Sequence, residues 1–465
     1  MSAHGRAADD QGVTHVPSPR AARVLVALGL AGFAAAVVGL WRGAPLVSCW
    51  FYVAAWWSYI VAADGVVHLR TGRSILLGRA STFALLAAWS AFFWLVFELV
   101  NLRLENWYYV GIPGTLIEKR VGAFVSFATV LPGVFETADL LRAFGVFERA
   151  RCRPWRITQG LRVALVVVGV AFLVLPLAFP RYAYPLIWGA TALIAEPILS
   201  RFGQRGLLAS FERGDPRPAL RLLAAGFVTG GLWESWNFHA EAKWIYTVPF
   251  FEETKLFEMP ILGFLGFPPF ALECWSFASV LVALGLVPEW EDEPTDLAAA
   301  PTATASRFRP LRAWIAVCLS VAACVPMIDA MLARTVRSEM AWIDDVPDLT
   351  PTARRTLIEH DVTTVRRWQR ARATHTAPDL SRVATREQIE RWERAVDLMS
   401  VKGLAHRGRV WLEQVGIVDV EALARAGDVE LLERFRTSPG GPAPFPTGPE
   451  VRVWIRGARA ALADR

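Results

Sequence analysis

The chain has 465 residues, is 54% hydrophobic and contains 20 tryptophans, with a net charge of +6 that is carried almost wholly by arginine. So apolar a composition excludes a wholly soluble protein and points to a bilayer-embedded one, in which surplus arginine orients loops more readily than it binds nucleic acid. The five cysteines, Cys49, Cys152, Cys274, Cys318 and Cys324, stand at no metal-ligand spacing and give no disulfide framework.

Residues 1–21 form a polar tail that ends near Arg20 and makes a poor signal peptide, so the apolar stretch after it reads as a retained span. At roughly 20 apolar residues per crossing, nine spans are expected, at about 22–41, 45–66, 82–102, 121–141, 162–179, 182–200, 219–238, 259–287 and 312–333. Arginines cluster in every second loop, at Arg70, Arg73, Arg79; at Arg142, Arg149, Arg151, Arg153, Arg156; at Arg201, Arg205, Arg213, Arg217; and at Arg307, Arg309. The positive-inside rule then places the N-terminus in the cytoplasm of an inner-membrane protein. With nine crossings the C-terminal region is non-cytoplasmic.

The sequence repeats itself. In FELVNLRLENWYYVGIP, Glu98, Asn101, Trp107, Tyr109 and Pro113 stand where WESWNFHAEAKWIYTVP has Glu234, Asn237, Trp244, Tyr246 and Pro249, at an offset of 136 or 137. Pro132 and Glu136 match Pro269 and Glu273, and Trp56 and Asp64 match Trp188 and Glu196. Residues 22–141 and 142–288 are thus expected to be two copies of a four-helix unit. An even number of crossings gives the copies one orientation and a pseudo-two-fold axis along the membrane normal.

A linker rich in Ala, Thr and Pro follows at 289–311, then a ninth transmembrane helix at 312–334. From residue 341 to 465 the sequence is charged and helix-periodic, with a second repeat in which Leu349, Leu357, Val362 and Val365 recur 55 residues later as Leu404, Leu412, Ile417 and Val420. The expected fold class is therefore all-α: a polytopic membrane helical bundle of four plus four helices and a ninth span, with a C-terminal soluble helical tandem.

Each membrane copy supplies three acids, Asp64, Glu98 and Glu136 in the first and Glu196, Glu234 and Glu273 in the second. A charge at mid-membrane costs on the order of 2.5–3.5 kcal/mol by insertion scales, so six such acids call for a reason. Glu98 with Asn101 and Glu234 with Asn237 are spaced i, i+3 and share a helix face. A desolvated carboxyl is the kind of group that general-acid chemistry at neutral pH employs. The other reading is that the acids fix helix packing through interhelical hydrogen bonds, and that Trp107, Tyr109, Trp244 and Tyr246 anchor the outer interface. His239 beside Glu234 and Glu241 suggests a metal, but its counterpart is Arg103 and no second histidine stands near, so neither metal nor cofactor is expected. The Pro268-Pro269 pair after ILGFLGF should break the eighth helix.

Trp-x-Tyr, a glycine-rich stretch, then Pro132 with Glu136 or Pro269 with Glu273 near an aromatic run resembles the repeated motif of small integral-membrane lycopene cyclases. The resemblance implies cofactor-independent acid chemistry on a polyene, with Glu136 and Glu273 as proton donors. Here those acids are single and follow their prolines by four residues. VKGLAHRGRVWLEQVGIVDVEAL, within a region of about 120 residues, resembles helix-hairpin-helix-like domains of unknown function. That resemblance implies a packing or protein-interaction module, with nucleic acid the lesser partner, since Gly403-Leu404-Ala405 has lost the second hairpin glycine and Asp348-Leu349-Thr350 has neither.

The expected function is the handling of a membrane lipid or isoprenoid at buried carboxylates. Proton-coupled or solute transport is the first alternative. The second is a non-catalytic scaffold that acts through a protein partner of the C-terminal domain.

Overall fold

A computed structural model describes residues 18–201, 206–248, 254–288, 310–334, 340–438 and 446–463. Most of the N-terminal tail and of the linker, together with Arg205, Pro249, Arg307 and Arg309, lies outside the described residues.

Helices α1 (Pro19–Trp41) and α2 (Pro45–Thr71) form an antiparallel pair. Ser18 caps the first, and Gly72, at φ 74°, ends the second. The short α3 (Ile75–Gly78) leads into α4 (Ala80–Leu104) and strand β1 (Trp107–Val110). Thr115 and Glu118 build a capping box that starts α5 (Leu116–Phe127), and α6 (Val130–Ala143) continues it after a break at Ala128 and Thr129, just ahead of Pro132.

The second stretch runs through α7 (Gln159–Ala178), α8 (Pro180–Ala183), a 3-10 turn (Tyr184–Ile187), α9 (Ala190–Arg201) and α10 (Leu207–Glu212). It goes on through α11 (Arg217–His239), strands β2 (Lys243–Tyr246), β3 (Lys255–Leu256) and β4 (Met259–Pro260), a 3-10 segment (Ile261–Gly266) and α12 (Phe267–Ala283). The expected break falls at the change from 3-10 to α-helix, with Pro268 and Pro269 in the first turn of α12. Helix α13 (Pro310–Arg334) leans on α4 and α5, where Arg120 binds Asp329 through both its oxygens at 2.9 and 2.7 Å.

Seven helical stretches among the described residues are long and apolar enough to cross a membrane: Pro19–Trp41, Pro45–Thr71, Ala80–Leu104, Leu116–Ala143, Gln159–Ala178, Ile261–Ala283 and Pro310–Ala333. The chain is a polytopic helical membrane protein. Two of the nine expected spans take another form. The span at 182–200 is divided by Pro180, Pro185 and Gly189 (φ 118°), which leaves α9 with 12 residues. Helix α11 is 23 residues long but carries Arg217, Arg221, Glu234 and Asn237, and it packs against α2, α6 and α12.

The all-α expectation omitted two short ladders. Strands β1 and β2 pair antiparallel, Trp107 opposite Tyr246, Tyr108 opposite Ile245 and Tyr109 opposite Trp244. Strands β3 and β4 form a small hairpin.

Among the described residues the C-terminal region is built from the helices α14 (Pro351–Glu359), α15 (Val365–Ala373), α16 (Arg386–Ser400), α17 (Ala405–Gln414), α18 (Val420–Arg425), α19 (Asp428–Thr437) and α20 (Gly448–Ala463), with an isolated β-bridge between Trp342 and Thr364. Two cores hold it, one around Leu357, Trp368 and Trp392 and one around Leu412, Phe435 and Trp454. Positions 55 apart adopt the same backbone: Asp348 and Gly403 have φ 56° and 76°, and Asp361 and Gly416 have φ 60° and 79°. The indoles of Trp392 and Trp454 donate to the carbonyls of Asp348 and Gly403 at 3.3 and 3.0 Å.

This region rests on the bundle end that carries β1, β2 and the α1–α2 turn. Arg367 Nε donates to the Gly43 carbonyl at 2.7 Å, Met340 N–H donates to Ile112, and Val453 packs on Tyr108, Val110 and Ile245. The arginine-bearing turns after α2 and α6 lie at the other end, about 40 Å away at the 27-residue length of α2.

Candidate functional site

The Trp-x-Tyr spacing of the two strands decides which side chains face the bundle. In a β-strand alternate side chains point to opposite faces, so Trp107, Tyr109, Trp244 and Tyr246 turn inward. Tyr108 and Ile245 turn toward the C-terminal region, where they meet Val453. The inward face closes one wall of a cavity of about 490 Å³. The other walls are aromatic as well: Trp50 and Tyr52 from α2, Trp94 from α4, Tyr184 and Trp188 before α9, Trp233 from α11, and Phe267 and Phe270 from α12. The lining extends from Glu118 and Lys119 on α5 to Leu262 and Leu265 on the 3-10 segment, and Glu118, Leu262 and Leu265 are exposed at its margins.

All six acids are buried, and they fall into three kinds of place. Glu98 and Glu234 stand behind the aromatic wall. Glu98 Oε1 accepts from the Tyr109 hydroxyl at 2.7 Å, from Trp94 Nε1 at 2.8 Å and from Trp107 Nε1 at 3.1 Å. Glu234 Oε1 accepts from the Tyr246 hydroxyl at 2.8 Å. One residue type at one spacing thus produces the same tyrosine–carboxyl contact twice. Asn101 and Asn237 hold the strands in place, their Nδ2 atoms donating to the carbonyls of Trp107 and Trp244 at 2.8 and 3.0 Å. Their Oδ1 atoms accept from Asn106 N–H and Trp244 N–H.

Asp64 and Glu196 are helix caps. Asp64 accepts from the N–H groups of Ile75 (2.8 Å) and Leu76 (3.3 Å) and from the Ser74 hydroxyl, at the start of α3. Glu196 accepts from Leu208 N–H at 3.1 Å at the start of α10 and from the Ser276 hydroxyl at 2.9 Å. The orphan donors of two short helices account for both carboxylates. Glu136 lies beside Asp64 and Asp139, and Glu273 Oε1 accepts from Thr191 N–H at 2.8 Å. None of the six carboxylates lines the cavity; Tyr109 and Tyr246 do. Burial first, and the adjacent carboxylate second, raise both hydroxyls well above the ordinary tyrosine value, so they remain donors at neutral pH.

His239 is exposed, and among the described residues no three His, Cys, Asp or Glu side chains cluster as metal ligands.

Three participants escaped the sequence reading. Trp94 is four residues before Glu98, a helical spacing that could have revealed it. Glu258 and Lys402 are 144 positions apart and could not have been linked from sequence. Fully buried Glu258 pairs with Lys243 Nζ at 3.2 Å and with Lys402 of the C-terminal region. Burial raises the Glu258 carboxyl, the two lysines lower it, and the lysines prevail, leaving it below the usual range. Burial lowers the Lys243 ammonium against the pull of Glu258.

No protein-family model, curated protein or solved structure matches the chain.

Proposed function

We propose that the protein is an inner-membrane protein built from a duplicated four-helix unit that holds an apolar lipid or isoprenoid in the aromatic cavity. Two tyrosine–carboxyl pairs, Tyr109–Glu98 and Tyr246–Glu234, back its wall, and acid/base chemistry on the occupant runs through a pair of this kind. The observation that carries this reading is the lining: a cavity of about 490 Å³ walled by Trp, Tyr and Phe, with two of its hydroxyls backed by buried carboxyls. An apolar occupant suits such walls, and a paired hydroxyl and carboxyl is a route for a proton.

Duplication is supported by matched neighbours. Helix α1 packs on α2 as α7 packs on α9, and α4 packs on α6 as α11 packs on α12. The β1–β2 register, centred on Tyr108 and Ile245, sets each strand's Trp against the other's Tyr, as a two-fold axis through the ladder requires. Cavity positions also come in matched pairs, Ser126 with Gly263 and Val130 with Phe267 among them. The arginine-rich turns at the N-terminal end support a cytoplasmic N-terminus and a C-terminal tandem on the far side, as a cap on the sheet.

The test is the lipid content of the purified protein. Mass spectrometry should find an apolar or isoprenoid lipid enriched over the host membrane, and Ser126→Trp, which fills the cavity, should remove it without loss of fold. A lipid profile equal to that of the bulk membrane, or unaffected by the filled cavity, would overturn the reading.

A further inference from the structure

The two tyrosine–carboxyl pairs are not alike. Glu98 has three side-chain donors, whereas Glu234 has one, and among the described residues Glu234 Oε2 has no hydrogen-bond partner although it is fully buried. The indole of Trp244 approaches Glu234 without closing a hydrogen bond, and its Nε1 is also without a partner. A buried acceptor and a buried donor therefore stand near each other unjoined, an arrangement unfavourable for both groups.

An exchange of volume accounts for one of the two missing donors, the counterpart of Trp94. At the offset that relates Glu98 to Glu234, Trp94 corresponds to Gly230, and at the offset that relates Pro132 to Pro269, Val130 corresponds to Phe267. The first unit has a large residue on α4 and a small one on α6. The second has a small residue on α11 and a large one on α12. The Phe267 ring lies directly over Gly230 and leaves no room for even a Cβ there. The space is filled in both units, but phenylalanine has no N–H, so the exchange removes from Glu234 the donor that Trp94 gives to Glu98.

The geometry points to a division of labour: Glu98 is a fixed acceptor that holds the wall, and Glu234 is the positioning carboxyl that exchanges a proton with the cavity through Tyr246. When Tyr246 gives its hydroxyl proton to the occupant, the O–H bond of Glu234 breaks and that proton re-forms the Tyr246 hydroxyl. The occupant gains one proton, and Glu234 is left as an anion. The unused Trp244 N–H is the donor that this anion takes up, and the reverse sequence restores the starting state. Glu98, already held by three donors, has no such reserve. The groups that face Glu234 are Tyr52 from α2, Tyr246 from β2, and Lys255 and Glu258 from the β3–β4 hairpin.

This inference rests on the cavity reading, but infrared spectroscopy of the full chain in detergent tests it without a ligand. The carboxyl C=O region is recorded across a pH series for wild type, Glu98→Gln and Glu234→Gln. A pH-dependent component should be lost in Glu234→Gln, be recovered in Glu234→Asp and persist in Glu98→Gln, while Glu98→Gln lowers thermal stability. The double variant Gly230→Trp with Phe267→Val, which gives Glu234 the donor of the first unit, should abolish that component in a folded protein. Loss of the component in Glu98→Gln, or its survival in Glu234→Gln, overturns the division. If wild type retains no lipid yet shows the Glu234 component, the cavity reading fails and the proton-exchanging carboxyl stands.

Discussion

Lys402 of the C-terminal region closes an ion pair with Glu258, whose carboxylate is wholly buried beneath it and shared with Lys243. Removing one partner of a buried pair leaves a charge without full compensation. Lys402→Met is expected to weaken docking of the C-terminal region by about 1–3 kcal/mol, less than a lone pair would lose because Lys243 remains. Limited proteolysis should cut the variant faster between α13 and the C-terminal helices. An unchanged digestion rate would show that the remaining contacts, Val453 with Tyr108 and Ile245 and Arg367 with Gly43, suffice without the ion pair.

The same carboxylate gives docking a pH dependence of fixed sign. Its folded value lies below the ordinary one, so its contribution is fully present above the ordinary carboxylate range and is lost as pH falls through the depressed value. The C-terminal region should stay docked from neutral pH down to about 4 and loosen below that. Glu258→Gln should abolish this acid step, as followed by the digestion rate across a pH series.

Gly416 and Gly403 separate two costs. Both have positive φ, but nothing lies within 4 Å of a Cβ added at Gly416, whereas one added at Gly403 would strike the Tyr108 hydroxyl. Gly416→Ala should lower thermal stability by about 1–2 kcal/mol through backbone strain alone. Gly403→Ala should cost more and also accelerate digestion, because it displaces the C-terminal region from the sheet.

Asp64 and Glu196 accept from the first N–H groups of α3 and α10. Asp64→Asn and Glu196→Gln are each expected to cost about 1–3 kcal/mol by weakening charge-assisted hydrogen bonds to α3 and α10. Thermal unfolding should register both, while the lipid retained by the folded protein should not change. A lipid loss at unaltered stability would return these two acids to the site.

What was legible in the sequence was periodic or chemically conspicuous. Long apolar runs announced a polytopic helical protein, and acids within them were conspicuous because charge in a bilayer needs a cause. The residues matched at offset 136, Glu98 with Glu234 and Asn101 with Asn237, make matching hydrogen bonds. The strands were hidden because WYYV and KWIY have four residues each and are defined only by pairing with each other across 136 positions. The cavity was hidden because its lining is assembled from segments scattered between Cys49 and Leu332. In the hairpins of the C-terminal region Asp348 and Asp361 adopt the positive φ of their glycine counterparts, as short polar side chains tolerate.

The β1–β2 ladder also constrains motion. It fastens the helices of residues 19–143 to those of residues 159–283 at one end of the bundle, and the C-terminal region is clamped over that joint. Rocking that opened this end would have to tear four residue pairs of backbone ladder and unseat the cap. Spreading of the two sets of helices that keeps this joint intact falls at the arginine-bearing end, where no ladder joins them among the described residues.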